Sequence, residues 1–216
     1  MMLGILGFEF FRNALIAGLI ASITCGIIGS YVVVKRLVSM SGGLAHAAFG
    51  GVGIGYFLGI DPFLGAAGFT LGIALFIGTI REKFGQYMET LVGVVWAAGM
   101  AVGILFIALT PGYAPELFGF LFGNILLIPT KDLFLMGLLA VVILAIVIAG
   151  FNQLMAVTFD EEYSRVMNLP VTALLLLLIL LIALTVVVLL RVVGVILVIA
   201  LLTIPPAIAR EYAKDL

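Results

Sequence analysis

All 21 charged residues of this 216-residue chain, 10 basic and 11 acidic, fall outside seven long apolar runs, at 13–34, 42–60, 62–80, 90–109, 133–151, 171–190 and 192–209. Runs of about 20 apolar residues are long enough to cross a bilayer as helices, and in lipid a helix satisfies its own backbone groups. A charge at mid-bilayer costs several kcal/mol, so this partition is what a set of spans requires. Composition agrees. The chain is 65% hydrophobic and 10% charged, too few charges to wet a soluble surface that ordinarily carries roughly 25%. The expected fold is all-α: a polytopic transmembrane bundle with about seven visible spans, a single domain over 1–216.

Lys and Arg favour the cytoplasmic side of a membrane protein. Lys35, Arg36, Arg81, Lys83, Arg165, Arg210 and Lys214 fall on one side of the predicted spans, and Arg12, Lys131 and Arg191 on the other. Seven against three places the N-terminus outside. The net charge of −1 says nothing about nucleic acid, and the sequence has no basic patch to attract it. Residues 1–12 carry Glu9 and Arg12 ahead of a run too long for a signal peptide, so that run reads as the first span. Lone Cys25 excludes an internal disulfide, leaving a core cysteine or a single metal thiolate.

Two connections carry structure of their own. Around 110–132 the chain is too apolar for a free loop and too interrupted to span, which predicts a short helix at or dipping into the outer interface. Around 158–168 helix punctuation recurs: Thr158 or Asp160 as cap, Glu161 and Glu162 in the first turn, Arg165 late, Asn168 for a left-handed cap, then Pro170. Tyr163, Val166 and Met167 share one side of this helix. It is either a connector on the membrane surface or a docking helix for a soluble partner. Gly51/Gly55, Gly55/Gly59, Gly68/Gly72 and Gly99/Gly103 have the small-xxx-small spacing of closely packed membrane helices. Pro205 and Pro206 each lack a backbone donor, which predicts a helix stop, or a break or gate beside a pathway.

His46 is the only histidine and lies within an apolar run. An ionisable group there is a candidate functional residue, and imidazole is the commonest transition-metal ligand. The alternative is a structural hydrogen bond to a neighbouring helix. Ser39, Met40 and Ser41 precede it by one to two turns as weak candidate ligands. No catalytic or nucleotide-binding motif occurs, so the chain is read as a non-enzyme that binds no cofactor.

Three stretches resemble the permease subunits of ABC transporters for zinc, manganese and iron uptake. They are Val34–Val52 with Ser41-Gly42-Gly43-Leu44-Ala45-His46, Phe159–Pro170, and Val193–Ala207 with Ala200-Leu201-Leu202-Thr203-Ile204-Pro205-Pro206. Leu121–Leu126 matches a weaker fourth. The resemblance implies a multi-pass protein of a prokaryotic cell membrane, importing a divalent metal by alternating access. It also implies a homodimer with a second permease copy, a cytoplasmic ABC ATPase that binds the ATP, and an extracellular metal-binding protein. In that family His46, with Met40 and Ser41, would line the metal pathway, and Asp160, Glu161, Glu162, Tyr163 and Arg165 would couple to the ATPase. Two departures stand out. Many members carry an aspartate four residues before the histidine, where this chain has Gly42. Members usually continue through further spans beyond Leu216, so a shortened chain or a short variant is expected. An ATP-independent channel or secondary carrier is the alternative, although neither buried acids nor matched inverted repeats point to one.

Overall fold

The computed structural model describes residues 8–81, 83–111 and 117–212. Among them there is no strand. The helices are α1 (Glu9–Val34), α2 (Val38–Leu58), α3 (Pro62–Ile80), α4 (Met88–Leu109), α5 (Leu117–Phe122), α6 (Thr130–Ala149), α7 (Phe151–Phe159), α8 (Glu161–Val166) and α9 (Val171–Tyr212). Five of them, α1, α3, α4 with its preceding turn, α6 and α9, are long and apolar enough to cross a membrane. Neighbouring ends meet in two clusters. One end of the bundle holds Glu9, Asp61 and Asp132; the opposite end holds Lys35, Arg81 and Glu161.

α2 is not among the five, because glycine, serine and His46 dilute its hydropathy. It does not need to be, since α3, α4 and α9 pack around it and most of its residues are buried. A helix sheathed by protein need not be apolar for lipid. Its glycines let two neighbours approach to backbone contact. A β-carbon on Gly51 would strike the Gly65 carbonyl of α3, and one on Gly53 would strike the Gly103 carbonyl of α4. Of the predicted small-residue pairs, Gly51, Gly55, Gly99 and Gly103 lie at such contacts. Gly68 and Gly72 face open space, and Gly59 instead closes α2 in the left-handed conformation, φ 67°.

α9 runs for 42 residues, about 63 Å if straight, twice the roughly 30 Å hydrocarbon core. It is not straight. Gly194 has φ 72° and ψ 168°, a region open essentially to glycine alone. Before it, α9 rises from the Glu161 end, where Leu176 packs on Gly78, to Arg191 at the Asp132 end. After it, the chain turns back. Ile199 lies against Gly42, and Leu202 and Pro206 lie against Gly29, near the last turns of α1. The predicted runs 171–190 and 192–209 are therefore two antiparallel arms, and their hinge is Gly194 rather than Arg191.

The predicted break at Pro205 and Pro206 does not occur; helical geometry continues through both to Tyr212. The prolines act on the preceding turn instead. Their missing N–H groups release the carbonyls of Leu201 and Leu202, and both turn to α1. The Cys25 thiol donates to the Leu201 oxygen at 2.7 Å, and Gly29 leaves room for the Leu202 oxygen. Cys25 is thus a buried core residue with a helix-to-helix hydrogen bond.

Candidate functional site

Arg191 and Asp132, which flank the apolar runs, are the charges drawn furthest into the protein at their end of the bundle. Arg191 lies within α9 and Asp132 in the first turn of α6, and both side chains are largely buried, 17% and 5% exposed. Arg191 Nε sits 2.7 Å from Asp132 Oδ2, and its guanidinium lies 4.5 Å from the centroid of the fully buried Phe120 ring. Phe120 belongs to α5, so the short helix predicted near 110–132 does dip into the bundle. There Gly123, φ 75°, meets the Val193–Gly194 backbone without room for a β-carbon on either glycine. Residues 112–116, part of the same predicted segment, lie outside the described residues. At the rim, Asp61 caps α3 through the Phe63 N–H at 3.0 Å and pairs with Lys131 at 2.8 Å. Partial burial works to raise its carboxyl, but these bonds outweigh it and hold Asp61 below the usual carboxylate range.

At the opposite end, the expected 158–168 helix is divided at Asp160. Thr158 is spent inside α7, donating to the Leu154 carbonyl. Asp160 is the cap, its Oδ1 accepting from the Tyr163 N–H at 2.9 Å. Asn168 takes the left-handed position, φ 57°, just before Pro170. Glu161 faces inward. Its Oε1 meets Lys35 Nζ at 2.8 Å and Arg81 at 3.0 Å, tying α8 to the ends of α1 and α3. Its desolvation favours the neutral form, yet the two cations prevail and keep Glu161 below its ordinary range. Glu162 is solvent-exposed, and Arg165 lines a cleft of about 540 Å³ with Arg36, Ser39, Met40, Arg81 and Glu89. Phe159, Tyr163, Val166 and Met167 stand 57–79% exposed on the outer surface of α7 and α8. These exposed apolar side chains lie on the segment that Glu161 fastens to α1 and α3.

His46 lies at the centre of α2, half-buried. Its Nδ1 is 3.0 Å from the Gly42 carbonyl, and its ring stacks on Trp96 of α4, centroids 4.0 Å apart at 23°. The other two predicted pathway residues do not join it. A helix turns roughly 100° per residue, so Met40 and Ser41 point well away from His46. Met40 is buried beside the cleft, and the Ser41 hydroxyl donates to the Val38 carbonyl. Ser39 and Gly42 share the His46 side of the helix. Among the described residues no three His, Cys, Asp or Glu side chains gather as a metal cage. Trp96 was not legible as a partner, since nothing in the spacing of an apolar run pairs position 96 with position 46.

Comparison with known proteins fits this arrangement. The model of the ABC 3 transport family matches residues 7–216. A probable metal transport system membrane protein of Chlamydia trachomatis is 40% identical over 206 residues, covering 93% of this chain and 70% of that protein. The manganese transport system membrane protein MntC of Listeria monocytogenes is 32% identical, covering 95% and 73%. The solved structure of PsaBC from Streptococcus pneumoniae in complex with Fab superposes with a TM-score of 0.86 at 32% identity, covering 99% of this chain and 77% of that one. The chain is a membrane-embedded member of the ABC 3 transport family, a transport component rather than an enzyme.

Proposed function

We propose that the chain is the permease subunit of an ATP-driven importer that carries a divalent metal ion, manganese first among zinc, manganese and iron, into the cytoplasm. The observation that carries this reading is the α7–α8 patch. Phe159, Tyr163, Val166 and Met167 leave four large apolar groups 57–79% exposed on α7 and α8, beside the ion pairs that Glu161 makes. Such a surface suits a protein partner better than solvent. The end that bears it carries Lys35, Arg36, Arg81 and Arg165, which favours the cytoplasm and leaves the N-terminus outside. The partner there is a cytoplasmic ABC ATPase, whose ATP cycle drives two permease copies between outward- and inward-open states.

Manganese is preferred because relatives from Listeria monocytogenes and Streptococcus gordonii carry manganese in their names. His46 is the ion contact. It offers one neutral nitrogen, and a sparse site suits a path that must release its ion. An extracellular metal-binding protein delivers the ion to the Asp61–Asp132 end. The test is co-purification of the chain with a candidate ABC ATPase. Val166→Asp and Tyr163→Ala should abolish the complex while the chain remains folded. Unchanged association would remove α8 from the interface.

A further inference from the structure

The geometry points to Trp96 as a positioning residue for the ion-contact imidazole, through a His46–Trp96 stack braced by the Gly42 carbonyl. This rests on the reading of His46 as the ion contact. The Gly42 oxygen and His46 Nδ1 are 3.0 Å apart. Two lone pairs at that distance would repel, so the hydrogen-bond partner assigns the proton to Nδ1. The lone pair of the neutral ring is then on Nε2, the atom left to ligate. A carbonyl behind Nδ1–H raises the basicity of the opposite nitrogen and fixes the ring, as partners of metal-bound histidines generally do.

Trp96 supplies the second constraint. Its indole lies nearly parallel to the imidazole at 4.0 Å, which holds the one side-chain torsion that the Gly42 bond leaves soft. The stack also responds to the ion. Coordination at Nε2 draws electron density from the imidazole, and the electron-rich face of indole favours an electron-poor ring over a neutral one. Both neighbours therefore hold the ion-bound imidazole better than the free one. Gly42 is part of the device. A β-carbon there would fall 2.8 Å from Ile199 Cδ1, so the absence of a side chain lets Ile199 close over this turn of α2, whereas the Trp96 ring, 3.5 Å from that point, is at ordinary contact distance.

Trp96 is the only tryptophan of the chain, so its emission reports the stack directly. The full-length chain in lipid nanodiscs is titrated with cobalt(II) and manganese(II) chloride, with magnesium as control, and Mn(II) affinity is measured separately by equilibrium dialysis. Cobalt should quench the emission saturably, and His46→Ala should raise the resting emission and abolish that quenching. Trp96→Ala should weaken Mn(II) binding about 10- to 100-fold, the usual effect of removing a ligand's supporting partner, whereas Trp96→Phe should restore it to within a few-fold. Size-exclusion profiles identify any variant that fails to fold, and the wild-type and Trp96→Phe measurements stand without it. If His46→Ala loses Mn(II) while Trp96→Ala binds like wild type, the positioning role is overturned and the ion contact survives. If His46→Ala also binds like wild type, the reading of His46 itself fails.

Discussion

Arg191 in α9 and Asp132 in α6 meet at 2.7 Å, three residues before the glycine at which α9 folds back on itself. The pair, capped by Phe120, anchors the hinge to the helix beside it. Removing one partner of a buried pair leaves an uncompensated charge, which costs about 3–5 kcal/mol. Asp132→Asn and Arg191→Met should each lower the thermal midpoint of the purified chain markedly. The double variant should recover most of the loss, because it leaves no lone charge. A double variant as unstable as the sum of the singles would mean the two act independently.

Gly194 and Gly123 carry the turn itself. Each has positive φ, Gly194 meets the Gly123 backbone and Gly123 meets that of Val193, so Gly194→Ala combines strain of about 1–3 kcal/mol with a backbone clash. Its yield of folded, monodisperse protein should fall sharply. Gly68→Ala, at a position facing open space within α3, should express like the parent and serves as the control.

The Cys25 thiol occupies the carbonyl that Pro205 frees. Cys25→Ala leaves that oxygen without a partner and should cost about 1 kcal/mol, the usual net value of such a bond. In Pro205→Ala a backbone N–H competes for the same oxygen. A membrane-permeant maleimide should therefore label Cys25 faster in that variant than in the parent. Equal labelling rates would show that the proline does not hold the thiol in place.

Glu161 links α8 to Lys35 and Arg81, and its carboxyl is held below its ordinary value of 4.5. A depressed folded value stabilises the protein above the unfolded value, and that contribution is lost as pH falls through the folded one. The midpoint of unfolding should therefore decline below about pH 4.5 in the parent. Glu161→Gln should start lower at neutral pH and show less of this decline. An identical pH profile in the two proteins would exclude Glu161 as the fastening of α8.

Much of this architecture is legible in the sequence, and the remainder fails to show for physical reasons. Apolar runs and turn residues are local features, so the long helices, the dipping segment before Thr130 and the Asp160–Asn168 punctuation read directly, whereas α7 does not. Arg191 and Asp132 read correctly as charges outside the apolar runs, but their pairing does not show, because it forms between residues 59 positions apart. Pro205 and Pro206 mislead because neighbouring α1 uses the carbonyls they free, and the helix continues. At the candidate site His46 reads from its isolation in an apolar run. Its separation from Met40 and Ser41 follows from helix rotation, whereas the Trp96 stack is a tertiary contact between α2 and α4.

The most direct measurement is manganese uptake into proteoliposomes that hold the chain with its ATPase, supplied with the metal-binding protein on the outer face. ATP-dependent accumulation should appear, stop when the ATPase is hydrolysis-deficient, and fall at least tenfold in Val166→Asp. Uptake that persists at the same rate without ATP or without the ATPase would contradict the importer reading and identify a channel or secondary carrier.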